Sequence, residues 1–367
     1  MSFEHPNRNN ESMIDVERDI MSRPSERNTT NLDLQRMKMI LDIMGHPEQS
    51  FRVIHITGTN GKGSTARMAE AICRAYGMRT GLYTSPHLEH VNERIAIDGQ
   101  QLSDDDFVDT WDQIKDLVAM VDMKMEELDK PKMSFFEVLT AMAIWKFADT
   151  PVDVAIVEVG MGGLWDATNV LNADAAIIGP VDMDHMQWLG DTVEQIATEK
   201  AGIIKPGSPV VSYGGVPEAD AVIARVAREQ NAPLTVVDLS RLKVEGGDLD
   251  AVTFDFDGLD GVRLPLIGSY QPKNAALAIT ALRVLRGRGW NIPDSAIRTG
   301  LEQVSWPGRF ELLRHSPAFL LDGSHNAHGM RATVQSLRDR FPGQKFVFLL
   351  SIMADKDVDE MLALLLP

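Results

Sequence analysis

The stretch Arg52–Tyr76, RVIHITGTNGKGSTARMAEAICRAY, reads as a strand, a glycine-rich loop and a helix in immediate succession. Val53, Ile54 and Ile56 make the short apolar run that a buried parallel strand needs, broken at Thr57-Gly58. From Ser64 onward, Ala69, Ile72, Cys73 and Tyr76 recur at helical spacing, and Gly77 is placed to stop the helix. Between the two, Gly58, Gly61 and Gly63 leave backbone N–H groups uncovered at the positive end of the helix, with Lys62 as side-chain cation. A polyphosphate fits there. The spacing is not that of the common G-x-x-x-x-G-K-[ST] loop: only Thr59 and Asn60 separate Gly58 from Gly61-Lys62, and a glycine precedes Ser64. A plain glycine turn beside an exposed lysine is the alternative, but strand, glycines, lysine, hydroxyl and helix follow the order that phosphate binding requires.

At 367 residues the chain has room for two domains and a full-sized core. Its 44% hydrophobic and 24% charged residues are ordinary for a soluble globular protein. A net charge of -17 argues against nucleic acid or an anionic membrane as the main partner. An acidic protein that binds a triphosphate must therefore neutralise it locally. The single Cys73 excludes an internal disulfide and reads as a small core residue. No signal peptide and no bilayer-spanning apolar run is evident, so a cytoplasmic location is expected.

Working outward, residues 1–30 read as a polar tail with one short helical piece, and Leu32–Met44 as a packing helix. After the first helix, Thr80–Tyr83 is a strand ending in Thr84-Ser85-Pro86-His87-Leu88, either a capped turn or a loop facing the phosphates. Ser103 opens a helix whose first turn holds Asp104, Asp105 and Asp106, a solvated helix start. Ser134-Phe135-Phe136-Glu137 starts another helix, and its two phenylalanines are either core or the apolar wall of a cleft for a flat ligand. Asp153–Val159 is a strand with Glu158 at its tip before Gly160-Met161-Gly162-Gly163. A carboxylate there suits Mg2+ better than a core.

Asp166-Ala167-Thr168-Asn169 supplies polar groups beyond that loop, and a strand at Ala175–Ile178 leads to Asp182-Met183-Asp184-His185. Thr192 and Gln195 form a capping box, and Lys200 near that helix's end reads as an ordinary dipole-complementing residue. Strands at Pro209–Ser212 and Thr235–Asp238 flank a helix, Leu242–Leu266 suggests a hairpin insertion, and Gln271 opens an alanine-rich helix. Trp306-Pro307-Gly308-Arg309 looks like a hinge. Beyond it, strands at Phe319–Asp322 and Lys345–Leu350 around one helix predict a second α/β domain. Two strands are few for an independent sheet, so that domain is expected to be incomplete. The expected organisation is thus a tail (1–30), a mostly parallel α/β ATPase-type domain (31–305) and a smaller Rossmann-like α/β domain (306–367).

With these segments in hand, the sequence resembles folylpolyglutamate synthase and dihydrofolate synthase, members of the Mur ligase superfamily. The matching segments run from about Arg36 to Asp357 and include HITGTNGKGST, TSPHL with Glu93-Arg94, SFFE, EVGMGGLWDATN, DMDHMQWLG, EKAGIIKPG, GSYQPKNAA, WPGRFE, DGSHN and DKD. The resemblance implies ATP-driven ligation of L-glutamate to a folate or dihydropteroate carboxylate, and a monomer acting on small molecules is the expected form. It implies that Asn60, Gly61, Lys62, Gly63 and Ser64 hold the ATP phosphates, that Asn274, Arg309 and Asp322 contact the nucleotide, and that His325 lies near the phosphates. It gives one Mg2+ to Ser85 and Glu158 and a second metal ion to His185, and it matches Lys200 to a carbamylated lysine. Lys62, His185 and Lys200 are thereby the candidate catalytic residues. Ser134, Phe135, Phe136 and Glu137, with Trp165, Asp166 and Ala167, match segments that hold the pteroate moiety.

The sequence departs from the family at Leu164 and Trp165, where arginine and a smaller apolar residue are usual, and in DGSHN for DGAHN. Two other readings stay open: a different Mur-type amino-acid ligase, and a non-catalytic paralogue that binds ATP or folate without turnover.

Overall fold

The computed structural model describes residues 12–25, 33–183, 189–353 and 356–366. Its centre is β1 (Arg52–Thr57), paired in parallel with β5 (Val154–Glu158) on one side and β6 (Ala175–Ile178) on the other. From Val53 to Thr57 every residue of β1 is buried, because helices cover both faces of the sheet. Outward lie β2 (Thr80–Tyr83) beside β5, and β7 (Val210–Ser212) then β8 (Leu234–Val236) beyond β6, all parallel. Two short antiparallel strands, β3 (Ile95–Ile97) and β4 (Gln100–Gln101), extend the β2 edge, giving an eight-stranded sheet in the order β4-β3-β2-β5-β1-β6-β7-β8.

Alternation along β1 divides the core. Ile54 and Ile56 face the layer formed by α3 (Lys62–Ala75), α8 (Gln271–Leu285) and α9 (Asp294–Gln303). Gly300 lets α9 lie against α3: a Cβ there would stand 2.5 Å from the Ile72 Cα. Val53 faces the other layer, built by α1 (Met13–Met21), α2 (Gln35–Met44), α4 (Asp104–Glu127) and α5 (Phe135–Asp149). Helices α6 (Val193–Ala201) and α7 (Pro217–Glu229) cover β6 and β7.

Three expectations change. The described part of the N-terminal stretch is docked: Val16 and Ile20, one helical turn apart, are both fully buried, and Arg23 pairs with Asp122 at 3.0 Å. Leu242–Leu266 is not a two-stranded hairpin but a three-stranded antiparallel sheet, β9 (Leu242–Gly247), β10 (Val252–Phe256) and β11 (Leu259–Leu264), whose Phe254 and Phe256 join the α3 and α8 core. In the C-terminal unit, β12 (Glu311–His315) and β13 (Ala318–Leu321) form an antiparallel pair, followed by α10 (Ala327–Arg340) and α11 (Val358–Leu365).

Lys345–Leu350 has the composition of a strand but pairs with none among the described residues, and Val347 is 100% exposed. A strand exists only through its neighbour's hydrogen bonds, and none of the described residues supplies them here.

Candidate active site

The tips of β1, β2 and β5 converge. Past β1, Gly61 caps α3 in a left-handed conformation (φ 80°), and a side chain there would meet Asn274 Oδ1 at 2.6 Å. The free N–H groups of the first turn of α3 therefore open toward the space beyond the strand ends. Lys62 Nζ donates to Gly58 O (3.0 Å) and Thr59 O (3.3 Å), which holds the ammonium over the loop. Gln271 Nε2 donates to Ser64 Oγ (3.2 Å) and Asn274 Nδ2 to Gln271 Oε1 (3.0 Å), fixing the start of α8 against the loop.

Glu158 ends β5 in register with Ile56 of β1, so the sheet itself carries the carboxylate to the loop. It is 4% exposed, and its Oε2 accepts from Ser85 N at 3.0 Å. Burial pushes the Glu158 pKa up, opposed by Lys62, the Ser85 N–H, Arg309 and Arg94. A carboxylate held in this way is under-compensated by protein alone. Ser85 and Glu158 offer the hard oxygen donors that a divalent cation such as Mg2+ takes, together with phosphate oxygens. Among the described residues, no group of three or more His, Cys, Asp or Glu side chains gathers to form a metal cage.

These groups line a cavity of about 900 Å³ between the main sheet and the C-terminal unit. Asn60, Gly61, Lys62, Gly63 and Ser64 form one wall, Ser85 and Glu158 sit beside them, and Phe135 and Phe136 form an aromatic wall. Asn274, Arg309, Asp322 and His325 close it from the far side. Among the described lining residues, six are cationic (Arg23, Lys62, Arg94, Lys273, Arg309, Lys356) and two are acidic (Glu158, Asp322), although the chain is strongly acidic overall. The local balance suits a polyanion.

Across the cavity, α10 presents a second helix N-terminus. Its cap Asn326 accepts from Gly329 N (2.7 Å) and exchanges amide hydrogen bonds with Asn60 (3.3 Å each way). Asn60 Nδ2 also lies 2.6 Å from His328 Nδ1, so that imidazole nitrogen accepts. Asp322 is fixed by Phe310 N (2.8 Å), Ser324 N (3.1 Å), Thr333 Oγ1 (2.7 Å) and, more loosely, the Tyr270 hydroxyl (3.4 Å). Burial and then the Asp322 charge raise the Tyr270 pKa.

Several expected site residues stand elsewhere. Ser134 and Glu137 are not in the cavity wall: they form the capping box of α5, and Glu137 takes Arg36 Nε at 3.0 and 2.9 Å in a buried ion pair. Asp166 is buried beneath the glycine loop, accepting from Met161 N and Thr168 N (3.0 Å each). Its pKa is raised by burial against those bonds. Ala167 is buried, and Trp165, 43% exposed, lies outside the cavity wall. Lys200 is buried on α6, also off that wall, and His185 lies outside the described residues.

The sequence reading missed Met21, Arg23, Tyr270 and His328, all on the wall, and gave Arg94 no role. Only Val16 and Ile20 on one helical face signalled that the N-terminal helix docks and carries Arg23 inward.

The chain matches the Mur ligase middle domain over residues 56–282 and the Mur ligase glutamate ligase domain over 308–366. It is 42% identical over 357 residues to the dihydrofolate synthase/folylpolyglutamate synthase of Mycobacterium tuberculosis, covering 91% of this chain and 72% of that one. It belongs to the folylpolyglutamate and dihydrofolate synthase family. The folylpolyglutamate synthase of Lacticaseibacillus casei is 36% identical over 339 residues, covering 90% of this chain and 77% of that one. Mycobacterium tuberculosis folylpolyglutamate synthase complexed with ADP superposes with a TM-score of 0.88 at 40% identity, covering 96% and 79% of the two chains. A folylpolyglutamate synthase complex with AMPPCP and folate superposes at 0.87 and 34% identity, covering 97% and 87%. Family membership makes the chain a Mur-type α/β ligase that uses ATP. Among its described residues, no helix is long and apolar enough to cross a membrane.

Proposed function

We propose that this chain joins L-glutamate to a carboxylate of a folate or of dihydropteroate through an acyl phosphate. The observation that carries the reading is the juxtaposition of a buried Glu158, the glycine-lysine loop and an aromatic wall around one cation-lined cavity. A carboxylate resists an amine because its leaving group would be oxide. Phosphorylation replaces that leaving group with phosphate. A carboxylate oxygen attacks the γ-phosphorus of ATP, the bond from that phosphorus to its bridging oxygen breaks, and ADP leaves with the electron pair. The neutral glutamate amine then attacks the acyl carbon, the carbon–oxygen bond to phosphate breaks, and the amine proton passes to solvent.

In this reading the N–H groups of Gly61 to Ser64 and Lys62 hold the triphosphate and take up charge as it shifts. Lys62 must leave the Gly58 and Thr59 carbonyls to do so. Phe135 and Phe136 stack the flat ring of the substrate. Arg309 and Asn274 draw the C-terminal unit onto the nucleotide. Ser85 and Glu158 would hold one Mg2+, which neutralises phosphoryl oxygens when bound. A second metal ion at His185 and a carbamate on Lys200, which turns an ammonium into an anion, are part of the same proposal.

The test is product analysis with dihydropteroate and tetrahydrofolate offered separately, each with ATP and glutamate. A product one glutamate heavier, formed with matching ADP, supports a ligase and names its substrate. ATP binding without folate- and glutamate-dependent phosphate release would point to a binding protein.

A further inference from the structure

We infer that Arg94 receives the substrate carboxylate, clamps its oxygens while one of them accepts the phosphoryl group, and keeps hold of the acyl phosphate that results. The inference rests on the ligase reading above and assigns a group to the acceptor side of the reaction.

Bringing a carboxylate to a γ-phosphate means bringing two anions within about 3–3.5 Å of each other. Lys62 and the α3 N-terminus neutralise the donor, and the acceptor carboxylate needs a cation of its own beside the aromatic wall where its ring would lie. Of the cationic lining residues, Arg23 is held by Asp122 (3.0 Å) and the Met133 carbonyl (3.3 Å), and Lys62 by the loop carbonyls. Arg309 lies against Gly323 on the C-terminal side, where a Cβ would stand 2.6 Å from its Nη1. Arg94 is the cation stacked on the aromatic wall. Its guanidinium carbon is 5.1 Å from the centroid of Phe135, and its charge and that of Glu158 each lie within the other's field.

The side chain is also held in advance. It is 8% exposed, and its Nε donates to His87 Nδ1 at 3.0 Å. His87 Nδ1 accepts that bond, which orients the guanidinium. Stacking on Phe135 and the bond to His87 fix the guanidinium plane, leaving both Nη groups without a hydrogen-bond acceptor among the described residues, at a cavity wall. A planar fork whose N–H edges meet no acceptor among the described residues matches a carboxylate bidentately. As the oxygen–phosphorus bond forms and the bridging bond to ADP breaks, one oxygen of the pair becomes the bridging oxygen of the acyl phosphate. The other remains a carbonyl oxygen that the same guanidinium polarises. The glutamate amine then adds to that acyl carbon, and phosphate leaves with the electron pair of the carbon–oxygen bond.

The test compares Arg94→Gln and Arg94→Lys with the unaltered chain by three readouts: affinity for a fluorescent ATP analogue, affinity for tetrahydrofolate with a non-hydrolysable ATP analogue present, and affinity for the same folate with its carboxylates converted to carboxamides. Nucleotide affinity reports that each variant is folded and is expected to stay unchanged. Tetrahydrofolate affinity should fall at least tenfold in Arg94→Gln, and turnover by about 100-fold or more. Arg94→Lys should keep part of the affinity but little of the turnover, because a point charge cannot replace the fork. The carboxamide should bind all three proteins equally. Equal losses for acid and carboxamide, or normal turnover by Arg94→Gln, would overturn the assignment. An unaltered chain that binds nucleotide but no folate would overturn the ligase reading and this assignment with it, whereas failure confined to the variants concerns Arg94 alone.

Discussion

At Glu158 a carboxylate is buried beside backbone donors and cations that only partly compensate it. Because burial raises its pKa, the folded state holds that proton more tightly than the unfolded chain, so the group's contribution to stability is lost as pH rises from the ordinary carboxylate range through the raised value. Glu158→Gln removes that loss. The metal-free variant is therefore expected to melt above the unaltered protein at pH 8, while losing any thermal shift produced by Mg2+ with nucleotide, both read by scanning calorimetry.

His55 titrates the other way. It is fully buried on β1, its Nε2 lies 2.8 Å from Thr168 Oγ1, and burial pushes its pKa down to about 3. The unfolded chain then binds the extra proton, so stability is lost as pH falls from about 6.5 to about 3, by up to ~1.4 kcal/mol per pH unit from this one group. His55→Asn should flatten that limb of a urea-denaturation pH series. At this scale the glycine loop before its helix and Glu158 at a strand tip were readable from the chain, since a charged residue at the end of an apolar strand has few structural uses. His328 and Arg23 were not: their place on the cavity wall depends on elements far away in sequence, and no local pattern carries that.

At the scale of elements, α5 shows how a motif can be read correctly and its residues misplaced. SFFE does begin the helix that forms the aromatic wall, yet Ser134 and Glu137 act on the helix itself and on Arg36, while Phe135 and Phe136 face the cavity. Removing Arg36 would strand a buried carboxylate, so Arg36→Ala should cost about 3–5 kcal/mol in chemical denaturation. Ser134→Ala, which removes one cap bond, should cost about 1 kcal/mol. If both residues act by positioning, folate affinity of Ser134→Ala below its unfolding transition stays normal. A selective loss of folate affinity without loss of stability would show a direct contact instead. Lys345–Leu350 marks the opposite case: its apolar run reads locally as a strand, yet it pairs with none among the described residues.

For the whole molecule, the central position of β1 brings three strand tips to one place, and the sheet order follows from the alternating pattern no further than its class. Which strands are neighbours was not legible, because crossover connections leave no trace in periodicity. The same holds for the approach of α10, whose cap Asn326 meets Asn60 across the cavity with His328 beside it. These bonds tie the C-terminal unit to the phosphate loop. Asn60→Ala should therefore speed amide hydrogen exchange at Asn326–Gly329 while leaving exchange in β1 and β5 unchanged. Unaltered protection at α10 would show that the amide pair adds nothing to closure.

The central claim is chemical: ATP at the β1–α3 turn activates the substrate as an acyl phosphate. It is tested most directly by supplying the folate substrate with 18O in its reacting carboxylate and analysing the phosphate released with ATP and glutamate. Phosphate carrying one substrate-derived 18O for each amide formed is the predicted result. Glutamylated product accompanied by unlabelled phosphate would contradict it.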